Sequence, residues 1–168
     1  RLFPPEGRGP GLAPHEPHRG LRMPDLARFH DAQAKNFATA LSELRSGRKV
    51  SHWMWFIFPQ LKALGRSATA LHYGIADLSE AHAYLADPVL RERLDACADA
   101  ILAHAEEAAE TILGPVDALK LRSSATLFAL AGVGTETGAR MRRVLDVFYG
   151  GEPCALTPGL LARETASG

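Results

Sequence analysis

The sequence predicts an all-α fold, a compact single-domain bundle of several helices. Three observations carry this. Apolar residues recur at steps of three and four through most of the chain, which gathers them on one stripe of a helix. No segment alternates apolar and polar residues over the roughly four to eight positions that a half-buried strand needs. Gly and Pro fall between the periodic stretches rather than inside them. With 168 residues, 46% of them hydrophobic, the chain is long enough to bury about 70% of the surface its unfolded form exposes.

The elements follow in order. Residues 1–22, RLFPPEGRGPGLAPHEPHRGLR, hold five prolines and four glycines with no hydrophobic period, and read as a disordered N-terminal extension. Met23 follows directly and offers an alternative natural start. The helical domain spans 23–150. Leu26, Phe29, Phe37, Leu41 and Leu44 place one stripe on a helix from about 25 to 46, with Asp25 as cap and Gly47 as terminator. In SHWMWFIFPQ, residues 51–60, Ser51 caps and Pro59 stops a helix of about two turns running through the middle of the fold. There Trp53, Phe56 and Ile57 share a face, and His52 and Trp55 point elsewhere. Asp87 and Pro88 start a helix that buries Leu90, Leu94, Cys97 and Ile101. Gly114 and Pro115 break the pattern before a helix over about 116–131. Thr135 caps the last helix, about 136–149, where Met141, Leu145 and Phe148 share a face. Residues 151–168, punctuated by Pro and Gly, read as a loosely ordered tail.

Composition excludes several functions. Nineteen basic residues balance nineteen acidic ones, so no net field draws the chain to nucleic acid or anionic lipid. No apolar run approaches the ~20 residues of a membrane span. Cys97 and Cys154 are the only cysteines. They read as small buried hydrophobes in a reduced, cytoplasmic protein. The histidines are scattered without metal-ligand spacing, so neither metal nor cofactor is expected. The segment GVGTETG, 132–138, misses both the dinucleotide and the P-loop patterns and reads as a loop between helices.

Chemistry concentrates in the aromatic stretch, where Ser51, His52, two indole N–H groups and Gln60 lie within ten residues. Each needs a partner if buried, at a cost of about 1–3 kcal/mol when none is found, so part of the stretch is a candidate ligand wall. His52, in the first turn of its helix, suits a neutral base. In LKLRSSATLF, Lys120 and Ser124 are four apart and share a helix face, a candidate base–nucleophile pair, with Ser123 beside them. More often such residues pin helices together. Gln33 sits awkwardly near the first apolar stripe, its amide calling for several partners. Tyr73 lies beside Gly74, where a bend turns its hydroxyl inward.

These residues also resemble a known family. GRKVSHWMWFIFPQLKALGRSATALHYGI is similar to the signature block of DUF1810, a mostly bacterial family of unknown function at times labelled calpastatin. DLARFHDAQ at 25–33 resembles its opening helix, and LKLRSSATLFA at 119–129 its late motif, so the likeness spans about 24–149. Ala125 departs from an expected methionine. The resemblance implies a compact all-helical domain like a mycobacterial relative of known structure, and no established reaction. The calpastatin label conflicts with a sequence patterned to bury a core, because such inhibitors are disordered.

Two functional readings stand. In the first, the chain binds a small nucleotide-like metabolite in an aromatic pocket and, if catalytic, is a hydrolase or transferase. His52, Ser124 and Lys120 would be catalytic, and Gln33, Arg48, Trp53, Trp55, Gln60, Tyr73 and Ser123 would bind the ligand. In the second, the same residues form core, and the chain is a non-catalytic helical module that binds another protein, as a monomer or homodimer. The difference is whether Trp53, His52 and Ser124 line an opening or a solid interior.

Overall fold

The computed structural model describes residues 24–166; the extension expected at 1–22 lies outside them. The described residues form α1 (Ala27–Ser46), α2 (Met54–Ile57), a 3₁₀ turn at Lys62–Leu64, α3 (Ala68–Tyr73), α4 (Leu78–Ala86), α5 (Pro88–Leu102), α6 (Ala109–Leu113), α7 (Pro115–Ala131), α8 (Glu136–Tyr149) and α9 (Thr157–Ala166). Among them there is no strand, only one isolated parallel bridge between Leu61 and Ile75. The all-α prediction holds.

Local signals set most helix ends. Asp25 accepts the Ala27 N–H at 2.9 Å, so α1 starts two residues past it. Gly47 ends α1 in the left-handed region at φ 76°, where glycine is favoured. The Asp87 carboxylate takes the N–H groups of Val89 and Leu90, with Pro88 in the first turn of α5. Thr135 caps α8 by accepting the Gly138 N–H at 3.1 Å. Leu90, Leu94, Cys97 and Ile101 are buried, as the period requires, and so are Met141 and Leu145.

The middle of α7 is buried on every side. Residues 123–128 are all buried, and α4, α6, α8 and α9 pack around them, with α1 and α8 against α5. Small side chains (Ser123, Ser124, Ala125) let neighbouring helices come close. Two expectations are corrected here. The aromatic segment contributes one turn of helix rather than two. Where a loose tail was expected, residues 157–166 form α9, which packs on α7 with Thr157 and Leu161 buried.

Candidate functional site

The aromatic segment owes its shape to a residue that sequence reasoning missed. Glu43, on α1, takes the N–H of Val50 at 2.6 Å, the N–H and hydroxyl of Ser51 at 2.8 and 2.5 Å, and the Trp53 indole N–H at 3.0 Å. Ser51 therefore serves Glu43 and does not cap a helix. The turn of α2 starts at Met54 with Trp53 as an N-cap that makes no side-chain bond. Burial pushes the Glu43 carboxyl up, but the Ser51 hydroxyl, the two amides and the indole together outweigh it and hold the pKa at about 2. The only signal in the sequence was an acid at the end of the first helix, ten residues before a tryptophan.

Beside it lies a charged chain of contacts. Lys49 Nζ is 2.9 Å from Asp117, donates to the Ser51 carbonyl at 2.7 Å and lies 5.1 Å from the centre of the Trp53 ring. The other oxygen of Asp117 is 3.3 Å from Lys120 Nζ, which sits 5.0 Å over the Trp55 ring. One carboxylate thus joins two lysines, each over one tryptophan, and ties α7 to the loop before α2.

The candidate residues separate into those the fold brings together and those it does not. Trp55, Gln60, Tyr73 and Lys120 share one crevice. Its volume is about 10 Å³, room for roughly one water. Gln33 is buried and satisfied by protein: its amide N–H groups reach the Phe56 carbonyl at 2.7 Å and the Tyr84 hydroxyl at 3.0 Å, and its oxygen accepts from Arg93 at 3.5 Å. Trp53 is buried against Glu43. His52 is exposed, and because α2 begins at Met54 it lies outside any helical first turn. Arg48 is exposed and faces Glu107 at 3.3 Å. Ser124 is 0% exposed, and its hydroxyl has no hydrogen-bond partner. The expected Lys120–Ser124 pair is therefore not made, since Lys120 leans toward Trp55 and Asp117. Ser123 donates to the Leu119 carbonyl at 3.2 Å. Tyr73 packs edge-on against Phe56 with ring centres 5.2 Å apart. No group of His, Cys, Asp and Glu among the described residues is placed to hold a metal ion.

The large opening is elsewhere. A half-open cavity of about 650 Å³ lies between the C-terminal half of α7, the 132–138 loop, α8 and the prolines flanking the start of α9. Sequence reasoning treated that loop as a connection only. Its glycines were the available signal, but a cavity needs three helices in place to exist.

Cys154 is also not the fully buried residue expected. It is half-buried just before α9, its own N–H donating to Thr126 at 2.8 Å. Burial raises its thiol pKa, but the Thr157 and Ser123 hydroxyls and the Leu156 and Thr157 amides outweigh that and bring it below the ordinary cysteine value. Cys97 is fully buried, and desolvation pushes it up to about 12. Iodoacetamide near neutral pH is therefore expected to alkylate Cys154 in the folded chain and to reach Cys97 only after denaturation. Peptide mass spectrometry reads the outcome; equal labelling of both would contradict it.

Fold and geometry define a class: an all-helical domain whose tryptophan segment is packed structure, with an open cavity at the opposite end of α7's sequence. The chain belongs to the family described as protein of unknown function (DUF1810), whose profile matches residues 23–161. It is similar to the conserved hypothetical protein Rv1873 from Mycobacterium tuberculosis, whose crystal structure superposes with a TM-score of 0.78 at 46% identity, covering 82% of this chain and 96% of that one. No curated protein matches the sequence. No helix among the described residues is long and apolar enough to cross a membrane.

Proposed function

We propose that this chain is a non-catalytic helical domain that binds a small molecule between α7, α8 and the approach to α9, rather than on its tryptophans. The observation that carries this reading is the contrast in space. The cavity there measures about 650 Å³, against about 10 Å³ at the aromatic crevice, and ligand pockets run from about 300 to 1,000 Å³. Catalysis through the aromatic segment finds little support: His52 stands in solvent, Ser124 is enclosed, and Lys120 is engaged by Asp117. The protein-interaction reading draws on a different observation. Val116 and Leu119, three apart on α7, are each 65% exposed, an apolar pair of the kind that partner surfaces use.

A thermal-shift screen of metabolites tests the proposal, since a ligand at 100 times its Kd stabilises a fold by about 2.7 kcal/mol. Hits are expected to survive His52→Ala and Lys120→Ala and to vanish in Ala139→Trp, which fills the cavity from an exposed position. A nucleotide that stabilises the chain and loses its effect in His52→Ala or Lys120→Ala would restore the aromatic site.

A further inference from the structure

The wall of the large cavity restricts what could occupy it. It contains no aromatic ring, so a nucleobase would find nothing to stack on. Ala129, Leu130, Val133, Leu145, Pro153 and Pro158 make it aliphatic.

Its hydroxyls are already engaged. Thr126 donates to the Arg122 carbonyl at 2.8 Å and accepts the Cys154 N–H at 2.8 Å. Thr135 donates to the Gly132 carbonyl at 2.6 Å and accepts the Gly138 N–H at 3.1 Å. Neither has a proton left to donate to a ligand.

The remaining polar capacity is one cation and one anion, Arg142 and Glu136. Arg142 is loosely held. Its contact with the Asp146 carboxylate, one turn along α8, is 3.9 Å long, and the side chain is 59% exposed. A guanidinium in that state keeps its planar fork of donors available for a carboxylate, which it can grip with two parallel bonds. Glu136 sets the charge limit, because a di- or triphosphate entering the same opening would face a carboxylate as well as the single arginine.

We infer that the cavity binds a small aliphatic carboxylate, its chain against the Leu130–Val133–Leu145 wall and its carboxylate on the Arg142 guanidinium. This rests on the proposal that the cavity is a ligand site, and adds the chemistry of the ligand. Aliphatic burial supplies the attraction, and the arginine selects one negative charge over none or over a positive one.

Octanoate, octylamine and octan-1-ol share a chain and differ only in the head group, so together they separate the two claims. Each is titrated into ¹⁵N-labelled chain while the amide resonances of Gly134 and Gly138, which line the cavity, are followed. Octanoate is expected to shift both resonances and to bind about tenfold more tightly than either other probe. In Arg142→Gln its affinity should fall to that of octan-1-ol, and in Ala139→Trp all three should lose binding. Circular dichroism verifies that both variants fold, which the exposure of both positions favours. If octan-1-ol or octylamine binds as tightly as octanoate, or Arg142→Gln changes nothing, the carboxylate assignment is overturned while the cavity remains a binding site. If no probe moves Gly134 or Gly138, the cavity reading itself falls.

Discussion

Gly138→Ala is expected to destabilise the fold by about 3 kcal/mol or more, a large part of the 5–15 kcal/mol typical of a domain. A methyl group at Gly138 would lie 2.0 Å from the carbonyl oxygen of Gly132 and 2.5 Å from its carbon. Both are backbone atoms, so no side-chain rotation relieves the clash. The Gly132 carbonyl also accepts the Thr135 hydroxyl that caps α8, so moving it disturbs the cap as well. Relief requires the start of α8 to move away from the end of α7, and α7 is the helix on which α4, α6, α8 and α9 pack. Gly159→Ala is the matched control: nothing lies within 4 Å of its added methyl, and its φ lies outside the left-handed region. Urea unfolding of both variants gives the comparison. A Gly138→Ala chain within about 1 kcal/mol of wild type would show that the close approach of α7 and α8 is not required.

The second large effect is expected at Glu43. Its folded pKa is about 2 against 4.5 unperturbed. A depressed folded pKa gives stability that is fully present above the unfolded value and is lost as pH falls through the folded one. The wild-type chain should therefore shed this contribution between about pH 5 and pH 2. Allowing for the partial exposure of the site, it amounts to about 2 kcal/mol at neutral pH. Glu43→Gln should lose that amount at pH 7, and the gap to wild type should close as the medium becomes acidic. Glu43→Ala should cost more, about 3–4 kcal/mol, because it also leaves the Val50 and Ser51 amides and the Trp53 indole without their acceptor. Trp53 fluorescence in urea titrations across this pH range reads both. A constant gap between wild type and Glu43→Gln down to pH 2 would mean that the carboxylate's charge does not stabilise the segment.

Both effects arise where chain segments meet, and this explains how unevenly the molecule could be read in advance. The caps at Asp87 and Thr135 were legible because a cap bonds N–H groups only two or three residues along its own chain. The buried stripes of α5 and α8 were legible because a helix repeats every 3.6 residues whatever its neighbours do. Ser51 misled for the converse reason. It is a good cap by composition, but Glu43 offers its hydroxyl a charged acceptor, which is the stronger bond. Gln33 stood out as an amide that needs several partners once buried. That the partners are the Phe56 carbonyl, Tyr84 and Arg93 depends on α1, α2, α4 and α5 meeting there.

The candidate site was less legible than the fold. Trp55, Gln60, Tyr73 and Lys120 do share one crevice, but naming side chains says nothing of the space between them, and that space holds about one water. The Lys120–Ser124 pair has the right spacing on the right helix. It fails because Asp117 and the Trp55 ring draw the lysine aside while α7 buries the serine.

By itself the sequence determined that this protein is a bundle of helices, about where α1, α7 and α8 begin and end, where α5 begins, and which stripe α1, α5 and α8 turn inward. Those properties are written in bonds and periods a few residues long. Tertiary structure alone decided that Glu43 would hold the tryptophan segment, that Cys154 would differ from Cys97, and that the open space would fall beside Arg142 rather than beside the indoles. Charge environments and cavities belong to surfaces that face one another across the fold, and they come into being only when distant helices pack.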